Sequence, residues 1–210
     1  MTIDFKKTQK DLYLPGANPS IIDVPEMFFI MVDGRGDPNN SAAYQSALEV
    51  LYGLSYTIKM SKMGGMQPEG YYDFVVPPLE GLWSTEDGAY EPGITEKNAF
   101  CWTSMIRMPE FVTPDAFDAA KISLERKKPG IDLSLARLEA FKEGLCAQIM
   151  HTGPYDSEPA TIEVLKAFVE TSGYRLDLSE TRRHHELYMS DPRKTAPDKL
   201  KTVIRYPIAK

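Results

Sequence analysis

The chain has 210 residues, of which 42% are hydrophobic and 26% charged, and its formal net charge is −6. These values are ordinary for a globular protein, and the length suits one large domain or two modules of about 100 residues each. They exclude a membrane-spanning chain, since no apolar run approaches roughly 18 residues, and they argue against direct nucleic-acid binding, which normally needs a basic stripe.

The N-terminus lacks the apolar core of a signal peptide, so we expect a cytoplasmic protein. The two cysteines, Cys101 and Cys146, lie in strand-like runs without Cys-x-x-Cys spacing. This pattern predicts buried thiols rather than a disulfide framework or a zinc site.

The first half of the chain predicts an arm followed by a strand, a helix and two further strands. Residues 1–19 form the arm, and the Gly34-Arg35-Gly36 turn lacks the third glycine and the Gly-Lys-Ser/Thr of a phosphate loop, so a turn capping the next helix is favoured. Apolar side chains at three- and four-residue spacing predict that helix. The predicted elements are a strand at 20–33 interrupted at Pro25 near an edge, a helix at 41–63, a bent strand or strand pair at 71–83, a hairpin connection at 85–96 and a strand at 99–107.

The rest of the chain predicts one further helix and then a run of elements similar to the first. Thr113-Pro114-Asp115 begins a helix with a cap, a proline at the first helical position and an acid in the first turn. The remaining elements are a strand at 137–151, a helix from Ser157 to Gly173, a short strand around Glu186 and a last strand at 201–208.

Two similar runs of strand, Gly turn, helix, strand and strand indicate an internal repeat. Ile106-Arg107-Met108-Pro109 resembles Ile204-Arg205-Tyr206-Pro207, and the Glu80 segment occupies the position of the Glu186 segment. We therefore predict an α+β fold of two pseudo-symmetric β-α-β-β modules, at about 20–130 and 131–210, with antiparallel sheets around a central cleft and helices outside.

The strand His184-His185-Glu186-Leu187-Tyr188 carries the principal site prediction. Side chains alternate along a strand, so Glu186 and Tyr188 point one way while His185 and Leu187 point the other. A carboxylate on an inward face needs a partner or a ligand, although a solvated strand glutamate is the alternative. Adjacent histidines on opposite faces cannot readily share an ion, so we predict no metal site here.

Equivalent strands of the two modules would face one another across the pseudo-axis, and module junctions are preferred places for ligand pockets. The residues expected to line this cleft are Glu80, Trp83, Trp102, Tyr155, Glu186 and Tyr188. Other interpretations stay open: the two tryptophans as core residues, Glu80 as a solvated or hydrogen-bonded strand residue, and His151 as a local hydrogen-bonding residue.

Several segments in this order resemble the stand-alone branch of the GyrI-like family, whose fold also serves as the effector domain of multidrug-sensing regulators. The segments that carry the resemblance are Lys10–Tyr13, Ile22–Pro25, Gly34–Pro38, Leu79–Trp83, Cys101–Thr103, His151–Tyr155, His185–Pro192 and Lys199–Thr202. The resemblance implies one GyrI-like domain over residues 20–210. Because no helix-turn-helix segment precedes it in the given sequence, we do not expect a complete regulator of the multidrug-sensor type.

The resemblance also implies a function. Glu186 would be the buried glutamate that receives lipophilic, planar aromatic or cationic small molecules, with Trp83, Trp102, Tyr155 and Tyr188 supplying aromatic faces. The alternative is a hydrolase that opens the cyclopropane of DNA-alkylating natural products, with Glu186 as general base and Tyr188 or Tyr155 as hydrogen-bond donor. A third is a protein that modulates a topoisomerase. None of these requires a cofactor.

Overall fold

The computed structural model describes residues 2–85 and 99–210, and its centre is a closed antiparallel sheet. Six strands pair in the order β4-β1-β3-β2-β6-β7, and β4 also pairs with β7, which closes the sheet. The short β5 joins β7 as a seventh strand. The strands are β1 (Ser20–Arg35), β2 (Leu79–Thr85), β3 (Phe100–Met108), β4 (Arg137–Thr152), β5 (Arg175–Leu176), β6 (His184–Tyr188) and β7 (Lys201–Ala209).

Three longer helices cover the outside of this sheet, and two one-turn helices belong to the N-terminal arm. The helices are α1 (Phe5–Thr8), α2 (Lys10–Tyr13), α3 (Ala42–Lys59), α4 (Pro114–Lys127) and α5 (Glu158–Thr171). The Ser41 hydroxyl caps α3 and the Thr113 hydroxyl caps α4, where Pro114 occupies the first turn as the sequence predicted. Helices α3 and α4 pack on the first module, and α5 packs on β4 and β7.

The predicted repeat and fold class are confirmed. The orders β1-α3-β2-β3 and β4-α5-β6-β7 are the same, and the modules meet where β2 pairs with β6 and where β1 pairs with β4. Both junctions are hydrogen-bonded, so the modules share one continuous sheet. The sheet has an outer face towards the helices and an inner face within the closed sheet.

The N-terminal arm packs on the inner face. Phe5, Leu12 and Tyr13 are buried in an apolar cluster with inward side chains of the strands. Two buried arginines at matching places in the repeat hold the arm: the Arg107 guanidinium lies 4.1 Å from the centre of the Phe5 ring, and Arg205 Nη2 donates to the Leu12 carbonyl at 2.8 Å. The arm thus completes the inner core.

Two predicted elements differ from the structure, and a third is mostly untested. Residues 71–78 do not form a strand, because Pro77 and Pro78 cannot donate to a ladder; Phe74 makes only an isolated bridge to Ile3. Pro25 does not interrupt β1, since it lies where β1 pairs only with β4 and the pairing with β3 begins at Phe28. Most of the predicted connection at 85–96 lies outside the described residues.

Candidate functional site

The candidate site lies on the outer face where β2 meets β6. Gly81 is opposite Glu186 across this junction, Trp83 is opposite His184, and Trp102 of β3 is opposite Trp83. Directly opposed residues of neighbouring strands share a face. The register therefore places both tryptophans on the face that carries Glu186.

Glu186 is a buried carboxylate with a hydrogen-bond partner at each oxygen. Its Oε1 lies 2.8 Å from Nε2 of His184, its Oε2 accepts from the Tyr188 hydroxyl at 2.7 Å, and 6% of the residue is exposed. Burial opposes ionisation, but the hydrogen bonds from His184 and Tyr188 lower the pKa of Glu186 below its usual value. The Glu186 carboxyl group is thus ionised at neutral pH.

Tyr188 connects this carboxylate to the aromatic side chains. Its hydroxyl accepts from Nε1–H of Trp83 at 3.0 Å while donating to Glu186, and its ring lies edge-to-face with Tyr155 at a centroid distance of 6.0 Å. Burial and the Glu186 charge raise the pKa of Tyr188 well above its usual value. Because its single proton already points at Glu186, Tyr188 is a poor donor to a ligand carbonyl. Tyr155, which is 39% exposed, meets solvent.

A third tyrosine, Tyr44 of α3, joins the aromatic side chains around Glu186. Its ring lies edge-to-face with Trp102 at 4.9 Å and 6.2 Å from the ring of Trp83. Trp102 fills the space above Gly34 of β1, where a Cβ atom would come within 2.1 Å of the indole. Both tryptophans belong to the apolar core formed with α3 and α4, and Tyr44 packs against this core.

A second carboxyl group enters the site from α5. Glu158 is the first residue of this helix, is 5% exposed and interacts electrostatically with Glu186. Burial and the neighbouring Glu186 charge raise the pKa of Glu158 to about 10. One site therefore contains a neutral and an ionised carboxyl group.

Glu80 does not belong to this site, which corrects the expectation that it lines the same cleft. It pairs with Leu187 and so faces inward, where its Oε2 lies 3.1 Å from Nε2 of His185. The Nδ1 atom of that histidine lies 3.0 Å from Glu143, whose other partner is Arg205. Burial disfavours a charged imidazole, but Glu143 and Glu80 raise the pKa of His185. Glu80 is thus part of a buried ion-pair network.

The register explains why the match of Glu80 with Glu186 fails. Ile106 and Ile204 occupy equivalent places in the repeat, and the residues opposite them are Leu79 and Glu186. Leu79 is therefore the counterpart of Glu186, one residue from the match made on the sequence. A shift of one residue along a strand moves a side chain to the other face.

The three histidines lie in three different surroundings. His184 faces the candidate site and His185 the inner network, so the adjacent pair does not converge on one point. His151 is a local hydrogen-bonding residue, 2.8 Å from Thr161 Oγ1 and 3.3 Å from the Pro154 carbonyl. Within residues 2–85 and 99–210, no group of three His, Cys, Asp or Glu side chains could hold a metal ion.

Sequence reasoning missed Glu158, Tyr44 and His184 as members of the site. Glu158 has the pattern of a favourable acid in a first helical turn, and Tyr44 belongs to the apolar stripe of α3. Of these three residues, only His184 has a signal in the sequence. It lies two residues before Glu186 and four before Tyr188, and alternate residues of a strand share a face.

A family model described as the GyrI-like small molecule binding domain matches residues 17–209. The chain belongs to the GyrI-like family. No curated protein matches it.

Solved structures agree with this assignment. A protein described as a hydrolase from Listeria innocua is 46% identical, with 99% of this chain and 100% of that chain covered and a TM-score of 0.91. A conserved protein from the same organism, described as uncharacterized, is 48% identical over 99% and 100% of the two chains, with a TM-score of 0.94. The C-terminal domain of EcmrR is 15% identical over 92% and 98%, with a TM-score of 0.53, and shares the fold alone.

The helices of the described residues include none with the length and apolar character needed to cross a membrane.

Proposed function

We propose that this GyrI-like protein binds planar, lipophilic cations between the Glu186 carboxylate and the aromatic side chains around it. The observation that carries the proposal is a buried, ionised glutamate on the same sheet face as Tyr188, Trp83 and Tyr155. A buried negative charge favours a cationic ligand, and aromatic faces favour flat rings through stacking and cation–π contact. Such contacts demand little chemical detail, so the site would accept a class of molecules.

Access to this site comes from the side of Tyr155. Tyr155 is 39% exposed and Tyr188 is partly exposed, whereas the indoles of Trp83 and Trp102 are buried. A flat ligand would therefore stack against the two tyrosines and place its charge towards Glu186. The tryptophans would act by holding Tyr188, through the bond to Trp83, and by supporting Tyr44.

The structure of a complex with the planar cation N-methylacridinium tests this placement. We expect the ring system against Tyr155 and Tyr188 with its charged nitrogen towards Glu186. A groove beside α4 offers a rival site, since it contains the carboxylates of Asp118, Glu125 and Asp132. Occupation of that groove alone would overturn the proposal.

A second candidate function is hydrolysis of a strained, electrophilic ring in the same site. Two observations favour it: the paired carboxyl groups of Glu158 and Glu186, and the description of a 46% identical structure as a hydrolase. Glu186 would take a proton from water as general base while the water attacks a ring carbon.

Mass spectrometry of a cyclopropane-bearing alkylating compound separates the two functions. A hydrolase adds the mass of one water, and the Glu186→Gln variant binds the compound without converting it. If the wild-type protein binds the compound and leaves its mass unchanged, the function is binding alone.

A further inference from the structure

Helix α4 has no counterpart in the internal repeat. It lies between the runs β1-α3-β2-β3 and β4-α5-β6-β7, and its buried residues, Phe117, Ala120 and Leu124, pack into the core beside α3. Ile122, near the middle of the same helix, is 53% exposed. A single exposed apolar residue is ordinary on a protein surface, so its neighbours decide whether this face can form a contact.

The neighbours of Ile122 form a ridge of opposite charges. Residues four apart lie on one helix face, so Asp118 and Arg126 stand on either side of Ile122 along that face. Both are exposed, and the side chain of Asp118 stays 64% exposed although Lys121 lies 2.8 Å from it. The α4 ridge, which we define as Asp118, Ile122 and Arg126, thus has an acid at one end, an apolar centre and a base at the other end.

This order makes the α4 ridge complementary to itself. When a twofold axis at Ile122 relates two antiparallel α4 helices, a residue four positions before the centre lies level with the residue four positions after it. Ile122 then meets Ile122 of the second copy, and an Asp118 faces an Arg126 at each end of the contact. Pairing residues 115–129 about Ile122 in this way puts no two like charges level with each other. Antiparallel helices also bring opposite ends of their dipoles together.

The available surface suits a weak dimer. The 14 residues of α4 span about 21 Å, and one such helix buries less than the roughly 800 Å² per partner of a typical stable interface. A groove between α4 and residues 131–134, with a volume of about 630 Å³, extends the surface, since Ile122, Ile131 and Leu133 line it and the neighbouring Leu135 is 64% exposed. We expect a reversible dimer with a dissociation constant of about 10–100 µM.

We propose that two copies of this protein associate through the α4 ridge, with the two helices antiparallel and Ile122 at the twofold axis. The second copy covers Ile122 and the apolar side of the groove, and two Asp118–Arg126 ion pairs join the copies. No ligand takes part, so this inference goes beyond the proposed function and is tested without it.

Sedimentation velocity of the full chain measures this association. Between about 5 and about 500 µM protein, the wild type should change from monomer to dimer. Ile122→Glu places two carboxylates at the axis, so we expect its dissociation constant to rise by about 10-fold or more. Val164→Glu is the matched control, because Val164 is equally exposed, at 53%, on α5. The control should associate like the wild type, and circular dichroism shows whether each variant keeps the fold.

A charge exchange tests the antiparallel pairing. In Asp118→Lys two cations would meet at each end of the contact, and in Arg126→Glu two anions would meet there. Each variant alone should therefore associate about 10-fold more weakly than the wild type. In an equimolar mixture of the two variants, the facing charges are opposite at both ends. The mixture should form a dimer with a dissociation constant within about threefold of the wild-type value.

Three results would count against this contact. One is a wild type that stays monomeric up to about 500 µM. Another is a mixture of Asp118→Lys and Arg126→Glu that associates no better than either variant alone. The third concerns α3 and the turn after it, where Tyr56 and Met63 are 51% and 75% exposed. Dimerisation that is lost in Tyr56→Glu and kept in Ile122→Glu would place the contact there and refute the role of α4.

Discussion

Replacing Glu158 with Gln should change how the stability of the fold depends on pH. Burial and the neighbouring Glu186 charge raise the pKa of Glu158 to about 10 in the folded protein, against an ordinary value of 4.5. Between these values the folded protein holds one proton that the unfolded chain has released, so rising pH favours unfolding. The stability associated with neutral Glu158 is fully present below the unfolded pKa and is lost as the pH rises through the folded pKa. Gln carries no such proton and has a similar shape.

The size of the change in unfolding free energy follows from the single proton that Glu158 holds in the folded protein. Each pH unit within the window lowers the free energy of unfolding by about 1.4 kcal/mol, so from about pH 6 to about pH 8 the wild type loses about 3 kcal/mol relative to Glu158→Gln. Glu143, whose pKa its partners His185 and Arg205 lower to about 2 against the effect of burial, is ionised throughout this window. The pH dependence that His185 contributes to the free energy of unfolding is the same in both proteins, so it cancels in their difference.

Urea unfolding followed by tryptophan fluorescence measures this difference. The two proteins should be compared at several pH values. If their m-values agree, the change in the urea midpoint reports a change in the free energy of unfolding. A difference in unfolding free energy that stays constant with pH would refute the assignment of a neutral carboxyl group to Glu158.

Three further substitutions test the packing that holds the site. Gly34→Ala places a Cβ atom 2.1 Å from the Trp102 indole; overpacking of this kind costs about 1–3 kcal/mol, and an unchanged midpoint in urea would contradict it. Tyr188→Phe leaves the buried Nε1–H of Trp83 without its acceptor; we expect a loss of about 1–3 kcal/mol by chemical denaturation, and full stability would mean that this bond contributes nothing. Arg205→Met removes one of the two partners of the buried Glu143 carboxylate and the bond to the Leu12 carbonyl of the arm; about 3–5 kcal/mol should be lost, with faster amide exchange in residues 5–13, and wild-type exchange there would be inconsistent with this role.

The sequence was informative wherever a local pattern determines the structure. The apolar periodicity of the first predicted helix, at 41–63, predicted α3, the Thr-Pro-Asp start predicted α4, and the alternation along β6 placed Glu186 and Tyr188 on one face. The internal repeat predicted the order of the elements along the chain, and that order predicted the fold class. In each case the evidence lies within a few consecutive residues or in a comparison of two similar runs.

The site could be predicted only in part. Its assembly depends on the register between neighbouring strands and on where α5 places its first residue. The match of Glu80 with Glu186 was wrong by one residue, which in a strand is a change of face. Glu158 is 28 positions from Glu186 in the chain and looks like an ordinary first-turn acid, so nothing local shows that α5 brings the two carboxyl groups together. The closure of the sheet through β4 and β7 is likewise a long-range pairing.

Paired calorimetric titrations test whether the Glu186 charge selects cationic planar ligands. The ligands are N-methylacridinium and uncharged acridine, which share one ring system, and the proteins are wild type, Glu186→Gln and the control Glu163→Gln. A charge-assisted interaction is worth about 1.5–3 kcal/mol, or about 10- to 100-fold in affinity. We expect Glu186→Gln to lose this factor for the cation while its affinity for acridine stays within about twofold of the wild type. Equal loss for both ligands, or no loss for the cation, would contradict selection by the Glu186 charge.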